Sequence, residues 1–128
     1  MRRLLACLPL AAAACGGGLD ARVVPAMDAC VAARNPVFVA GNGATALATP
    51  LPPAVDSMLV NLRYKAAFER FQEIAAGAVT QAILVCALEL GAADATPEAR
   101  RWLQGYLRHP NEPVQAAART LLERFPRR

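Results

Sequence analysis

The feature that most constrains this fold is the spacing of apolar residues, which recur every three or four positions through the chain after residue 54. That spacing gathers apolar side chains on one face of an α-helix, whereas a half-buried strand needs strict alternation. The clearest run is Val114, Ala117, Ala118, Leu121, Leu122 and Phe125. The sequence therefore predicts an all-α domain at 54–126, a small bundle of four to five helices with short connections.

Capping and helix-breaking residues divide this region. Helical spacing runs from Ala54 to about Ala76, as one long helix or two abutting helices. Residues 79–90 are apolar on nearly every side, which predicts a central, buried helix that ends at Gly91. Thr96-Pro97 and Asn111 then have the residue types that begin helices.

The chain before residue 54 is less regular. Helical spacing over 19–34 predicts a short helix, in which Pro25 suits a first helical position and Asn35-Pro36 forms the end. Residues 36–53 contain Asn42-Gly43 and several prolines, which fit either a small hairpin or an extended loop. The prolines place the start of the helical domain near residue 54, after an irregular segment at 15–53.

The first fourteen residues have the composition of an export signal. Arg2 and Arg3 precede an apolar run from Leu4 to Leu10, and small residues follow. The run is much shorter than the roughly 20 apolar residues that a membrane-spanning helix needs. We therefore expect residues 1–14 to be a cleaved signal peptide.

The next residues resemble the lipobox of bacterial lipoproteins, since three alanines precede Cys15 and three glycines follow it. The resemblance implies acylation of Cys15, a flexible glycine tether and attachment to the membrane through lipid. In this resemblance, glycine directly after the cysteine implies that the protein is sorted to the periplasmic side of the outer membrane. The pattern more often has leucine at position 12, and the alternative is ordinary cleavage after Ala14, which gives a soluble periplasmic or secreted protein.

Net charge argues against a nucleic acid partner. Loss of residues 1–14 leaves twelve Lys and Arg against ten Asp and Glu, and the formal charge falls from +4 to +2. So small an excess offers little attraction to a polyanion. We expect the membrane and an envelope protein to be the partners.

The cysteines favour one disulfide. If Cys7 leaves with the signal and Cys15 is acylated, the folded domain keeps Cys30 and Cys86. In an oxidising compartment these two predict a disulfide, and the alternative is two unpaired buried thiols. Two cysteines and one histidine fall short of the usual four ligands, so no metal site is expected.

Residues for catalysis are scarce. The chain has one serine, Ser57, and one histidine, His109, which we expect to contact the last carbonyls of a helix. The run GNGATA at 41–46 has the glycine spacing of a dinucleotide fingerprint, but that motif requires a βαβ unit and prolines follow here. We therefore predict no enzyme, no catalytic residue and no cofactor.

A basic surface near the C-terminus is the candidate binding site. Seven of the twelve Lys and Arg that remain after residue 14 lie between residues 100 and 128. Arg100, Gln104 and Arg108 share a predicted helix face, and Arg127 and Arg128 form a basic tail. This pattern predicts a surface for an acidic partner or anionic head groups, or else only the solvated side of amphipathic helices.

The last two predicted helices, the second of which contains NEPVQAAARTLLERF, resemble a HEAT-type repeat. The resemblance covers roughly thirty residues and implies only a mode of local packing, because a solenoid needs three or more repeats. The sequence as a whole favours a small non-catalytic envelope domain that binds another protein. An inhibitor or immunity-type protein and a periplasmic carrier of a small ligand are the alternatives.

Overall fold

The structure, a computed structural model, describes residues 18–39, 47, 50–60, 62 and 65–125; the side chains of residues 18, 19, 37 and 39 are not included. Within these residues there are six α-helices, a 3-10 turn at Tyr106–Arg108 and no strand, which confirms the predicted all-α class. The helices are α1 (Gly18–Val39), α2 (Pro53–Val60), α3 (Lys65–Ala76), α4 (Gln81–Gly91), α5 (Pro97–Gly105) and α6 (Glu112–Glu123).

Helix α1 is longer than predicted. It continues to Val39 and contains both Pro25 and Pro36, although Asn35-Pro36 was expected to end it. A proline inside a helix removes one backbone hydrogen bond and disfavours the helix locally. Contacts on both sides of Pro36 explain why the helix persists: Cys30 and Arg34, before it, hold α1 against α4, and Phe38, after it, packs against the core.

Two interactions join α1 to α4. Cys30 and Cys86 form a disulfide with a Cα–Cα distance of 5.9 Å, which confirms the predicted pairing. One turn further along both helices, Arg34 donates two hydrogen bonds to Glu89, at 3.1 Å and 2.9 Å. Arg124, near the end of α6, brings a second guanidinium within 3.6 Å of the same carboxylate.

The core surrounds α4, as the sequence predicted. Eight of its eleven residues are buried, and it contacts α1, α3 and α6. Val23, Ala26 and Met27 of α1 are buried in the same core as Val55 and Leu59 of α2. The described part of the irregular N-terminal segment therefore packs against the helices that follow Pro53.

Helix boundaries differ slightly from the predicted ones. The helical spacing at 54–76 forms two helices, α2 and α3, with a turn at Leu62 between them. Helix α4 begins after Thr80, whose hydroxyl accepts a hydrogen bond from the Ile83 N–H, so Val79 lies outside the helix and is 85% exposed. Thr96 caps α5 in the same way, as predicted.

The 3-10 turn connects α5 to α6. Asn111 caps α6, as predicted, by accepting a hydrogen bond from the Val114 N–H. The His109 side chain does not contact the preceding carbonyls as expected: its Nδ1 accepts a hydrogen bond from the Asn111 N–H at 3.0 Å. The His109 carbonyl also accepts a hydrogen bond from the Gln115 side chain. These contacts fix the connection between the last two helices.

Candidate functional site

A groove with a volume of about 790 Å³ lies between α3 and α5. Residues at the ends of α2 and α4 also line it. We call it the aromatic groove, after its apolar lining of Leu59, Leu62, Phe68, Phe71, Leu90 and Trp102. Its size lies within the range of roughly 300–1,000 Å³ that is typical of ligand pockets.

Aromatic rings run along α5 from the groove to the 3-10 turn. The rings of Phe68 and Trp102 meet edge to face, with centroids 5.4 Å apart. Trp102 meets Tyr106 in the same geometry at 6.0 Å, and Tyr106 stacks on His109 at 6.0 Å. Edge-to-face pairs of this kind stabilise a fixed arrangement of the rings. The partly exposed Trp102 is therefore held at the groove from two sides.

Gly91 determines how close Trp102 lies to α4. A Cβ atom added at Gly91 would be 2.8 Å from Cζ3 of Trp102 and 3.0 Å from Cβ of Phe71. Favourable carbon contacts are about 3.5–4.0 Å, so any larger residue would displace the indole or the backbone. The depth of the aromatic groove thus depends on glycine at the last position of α4.

Charged side chains border the groove on both walls. Lys65 and Glu69 lie one turn apart on α3, and Glu98 and Arg101 lie one turn apart on α5. Asp94 lies in the connection between α4 and α5. Among the described residues, none of these five side chains has an ion-pair partner within 4.0 Å. The rim therefore offers charges of both signs to a ligand.

The phenol of Tyr106 adds no charge to this region. Burial raises the pKa of Tyr106 above its ordinary value, and a hydrogen bond with Trp102 acts in the opposite direction. The group is therefore neutral throughout the physiological pH range. The charge near the groove comes from the carboxylates, Lys65 and Arg101 of the rim.

A second, smaller cavity of about 370 Å³ shares Leu59 and Ala93 with the aromatic groove. Its charged lining consists of Asp56, Glu89 and Arg124. Glu89 is already engaged by the two guanidinium groups described above. This cavity is smaller, and the buried carboxylate in its lining, Glu89, is already paired, so we consider it the weaker candidate.

The structure describes three residues of the predicted basic surface, Arg100, Gln104 and Arg108. The guanidinium of Arg100 lies 5.2 Å from the ring centroid of Phe125, so this side chain covers the end of the core. Gln104 is exposed on α5, and Arg108 is exposed in the 3-10 turn. Arg127, Arg128, Cys15 and the segment with Asn42-Gly43 lie outside the described residues.

The groove could not be predicted from the sequence, because each residue that lines it has an ordinary structural explanation when taken alone. Helical spacing places Trp102 with the apolar residues of its helix, and Lys65 with Glu69, like Glu98 with Arg101, has the spacing of a solvated helix face. The available signal is the single tryptophan directly after Arg101, which places a large ring beside exposed charge. Amphipathic aromatic residues in such positions are enriched at binding surfaces.

No protein-family model matches this chain, and neither the curated proteins nor the solved structures include a match. Within the described residues, no group of three or more His, Cys, Asp or Glu side chains is placed to hold a metal ion. The helices of that same part of the chain are too short or too polar to cross a membrane.

Proposed function

We propose that this protein is a non-catalytic binding domain of the cell envelope, whose aromatic groove binds apolar side chains of a partner protein. The observation that carries this proposal is the groove itself, which has a volume of about 790 Å³ and an apolar floor. Its two walls bear charges that have no ion-pair partner among the described residues. Protein interfaces commonly combine a buried apolar centre that contains aromatic residues with a polar rim. The single tryptophan, Trp102, is the natural anchor of such an interface.

The disulfide supports the export half of the proposal. Disulfides persist in oxidising compartments and are rare in the cytosol of most organisms. Cys30 and Cys86 are fully buried, and a stable bond between them fits the signal-like first fourteen residues. Acylation of Cys15 would then hold the domain at the membrane through lipid.

Export and acylation are tested by intact mass and membrane fractionation of the full chain beside a Cys15→Ala variant. We expect a membrane-bound species that begins at Cys15 and carries acyl mass, and we expect Cys15→Ala to abolish both properties. A soluble mature protein with an unmodified Cys15 would refute the anchor, and the search for partners would turn to diffusible proteins.

The groove is tested by placing a photoreactive amino acid at Gln72, on its rim, or at Gln104, on the predicted basic surface. In the protein's own host cells, we expect Gln72 to crosslink one defined protein and Trp102→Ala to abolish the adduct. Circular dichroism of the Trp102→Ala variant controls for folding. Crosslinks from Gln104 alone would reject the groove and favour the surface formed by Gln104 and Arg108.

The volume of the groove also favours a second candidate function, the carriage of a small apolar ligand. The same purified protein distinguishes the two candidates. If the protein carries a small ligand, native mass spectrometry should detect a bound molecule that is absent from the Trp102→Ala variant. In that case Gln72 should crosslink no protein.

A further inference from the structure

The walls of the aromatic groove restrict the conformation of what binds there. Both walls are helices, α3 and α5, whose backbone groups are engaged within their own turns, and the described residues contain no strand edge. An extended peptide would therefore lay unpaired N–H and C=O groups over an apolar floor. A helical segment satisfies its own backbone hydrogen bonds and exposes only side chains to the floor.

The dimensions of the groove set the length of the contact. Along α3 the lining extends from Lys65 to Gln72, which corresponds to about 10 Å of helix. That distance accommodates roughly two turns of a bound helix, with apolar side chains at positions i, i+3, i+4 and i+7.

The charges on the rim determine what flanks the apolar stripe. Each wall carries one cation and one carboxylate separated by one helical turn, Lys65 with Glu69 on α3 and Glu98 with Arg101 on α5. With Asp94 the rim has two cations and three carboxylates, so net charge alone gives little selection among partners. A helix whose flanks also alternate in charge every turn can pair with both walls, in the way that residues beside a coiled-coil seam set orientation.

We infer that the partner segment is an amphipathic α-helix that lies between α3 and α5, apolar on one side and flanked by both signs of charge one turn apart. This inference rests on the proposed function and adds the structure and charge pattern of the ligand. Lys65, Glu69, Glu98 and Arg101 set its orientation.

Designed peptides test the inference on the disulfide-bonded full chain with Cys15→Ala, which needs no detergent. Each peptide has about 16 residues, because shorter isolated helices are marginal in water. Four peptides share one leucine stripe and differ only in the order of Lys and Glu on each flank. A fifth contains two central prolines and cannot form a helix. Binding is followed by the fluorescence of Trp102, the single tryptophan of the chain.

We expect one flank order to bind most tightly. Exchange of charges on the α3 wall, by Lys65→Glu with Glu69→Lys, preserves net charge and should transfer the preference to the opposite order with about a tenfold change in Kd. The matched control is Arg119→Glu with Glu123→Arg, an exposed pair on α6 with the same spacing that does not line the groove. It should leave every Kd unchanged.

Three results would overturn the inference. Equal binding of the proline peptide would mean that the ligand need not be helical. An unchanged preference for one flank order after Lys65→Glu with Glu69→Lys would mean that the charges of the rim do not select the ligand. Binding of 1-anilinonaphthalene-8-sulfonate without binding of any helical peptide would identify a site for small apolar molecules. If the peptides fail while Gln72 still crosslinks a protein, the proposed function stands and only the helical ligand is rejected.

Discussion

The ion pair between Arg34 and Glu89 offers a quantitative test of the packing of α1 on α4. Arg34 is 1% exposed and Glu89 is 8% exposed, and two hydrogen bonds at 3.1 Å and 2.9 Å join them. The perturbations are Glu89→Leu, Arg34→Met and the two together. Each replaces a charged side chain by an apolar one of comparable length, so the comparison measures charge rather than lost volume.

The single substitutions should differ in cost. Glu89→Leu leaves the buried guanidinium of Arg34 without the carboxylate that accepts two of its hydrogen bonds, and removing one partner of a buried pair typically costs about 3–5 kcal/mol. Arg34→Met should cost less, because Arg124 lies 3.6 Å from Glu89 and can still neutralise it. The double variant should recover most of the loss, since an apolar pair is often as stable as the ion pair it replaces.

Urea denaturation followed by circular dichroism, with the disulfide intact in every variant, measures these differences. The order of stability we expect is wild type close to the double variant, then Arg34→Met, then Glu89→Leu. Two outcomes would refute the reasoning: a loss below about 1 kcal/mol for Glu89→Leu, which is the scale of an exposed pair, or a double variant whose loss equals the sum of the single losses.

Three further predictions concern other parts of the fold. Replacing Cys30 and Cys86 by alanine should lower the free energy of unfolding by about 4 kcal/mol, the chain-entropy value for a loop of 56 residues; equal midpoints of urea denaturation for oxidised and variant protein would contradict this. Gly91→Ala should cost about 1–3 kcal/mol through overpacking and shift the emission of Trp102, which fluorescence during denaturation reports; an unchanged spectrum would show that the indole does not lie on α4. Because its pKa is raised on folding, Tyr106 should contribute stability that is present below the pKa of the unfolded chain and is lost as the pH rises above it; alkaline denaturation of Tyr106→Phe should lack this component.

Much of the fold follows from local sequence. The capping residues Thr96 and Asn111 begin α5 and α6 where the side-chain types predict, because a cap depends on only a few neighbouring backbone groups. The central position of α4 follows from apolar residues around its whole circumference. The pairing of Cys30 with Cys86 follows once two cysteines are left in an oxidised domain.

The rest depends on contacts between distant parts of the chain. Arg34 and Glu89 are 55 residues apart, and each taken alone suggests an exposed, solvated side chain. Together with the packing of Phe38 on the core, their pairing explains why α1 continues past Pro36, since tertiary contacts on both sides outweigh the local cost of proline. The aromatic groove exists because α3 and α5 lie a certain distance apart. The periodicity of apolar residues within one helix does not predict that distance.

Helix α4 connects the stabilising contacts with α1 to the proposed binding site. Cys86 and Glu89, which fix α1, and Gly91, which contacts the indole of Trp102, lie between the middle of α4 and its C-terminal end. A helix held by a disulfide and a buried ion pair is a rigid support for the floor of the groove. Binding to a preformed groove loses less conformational freedom than binding that must order it. Weakening the contacts of α1 should therefore reduce affinity at the groove, although none of Cys30, Cys86, Arg34 and Glu89 lines it.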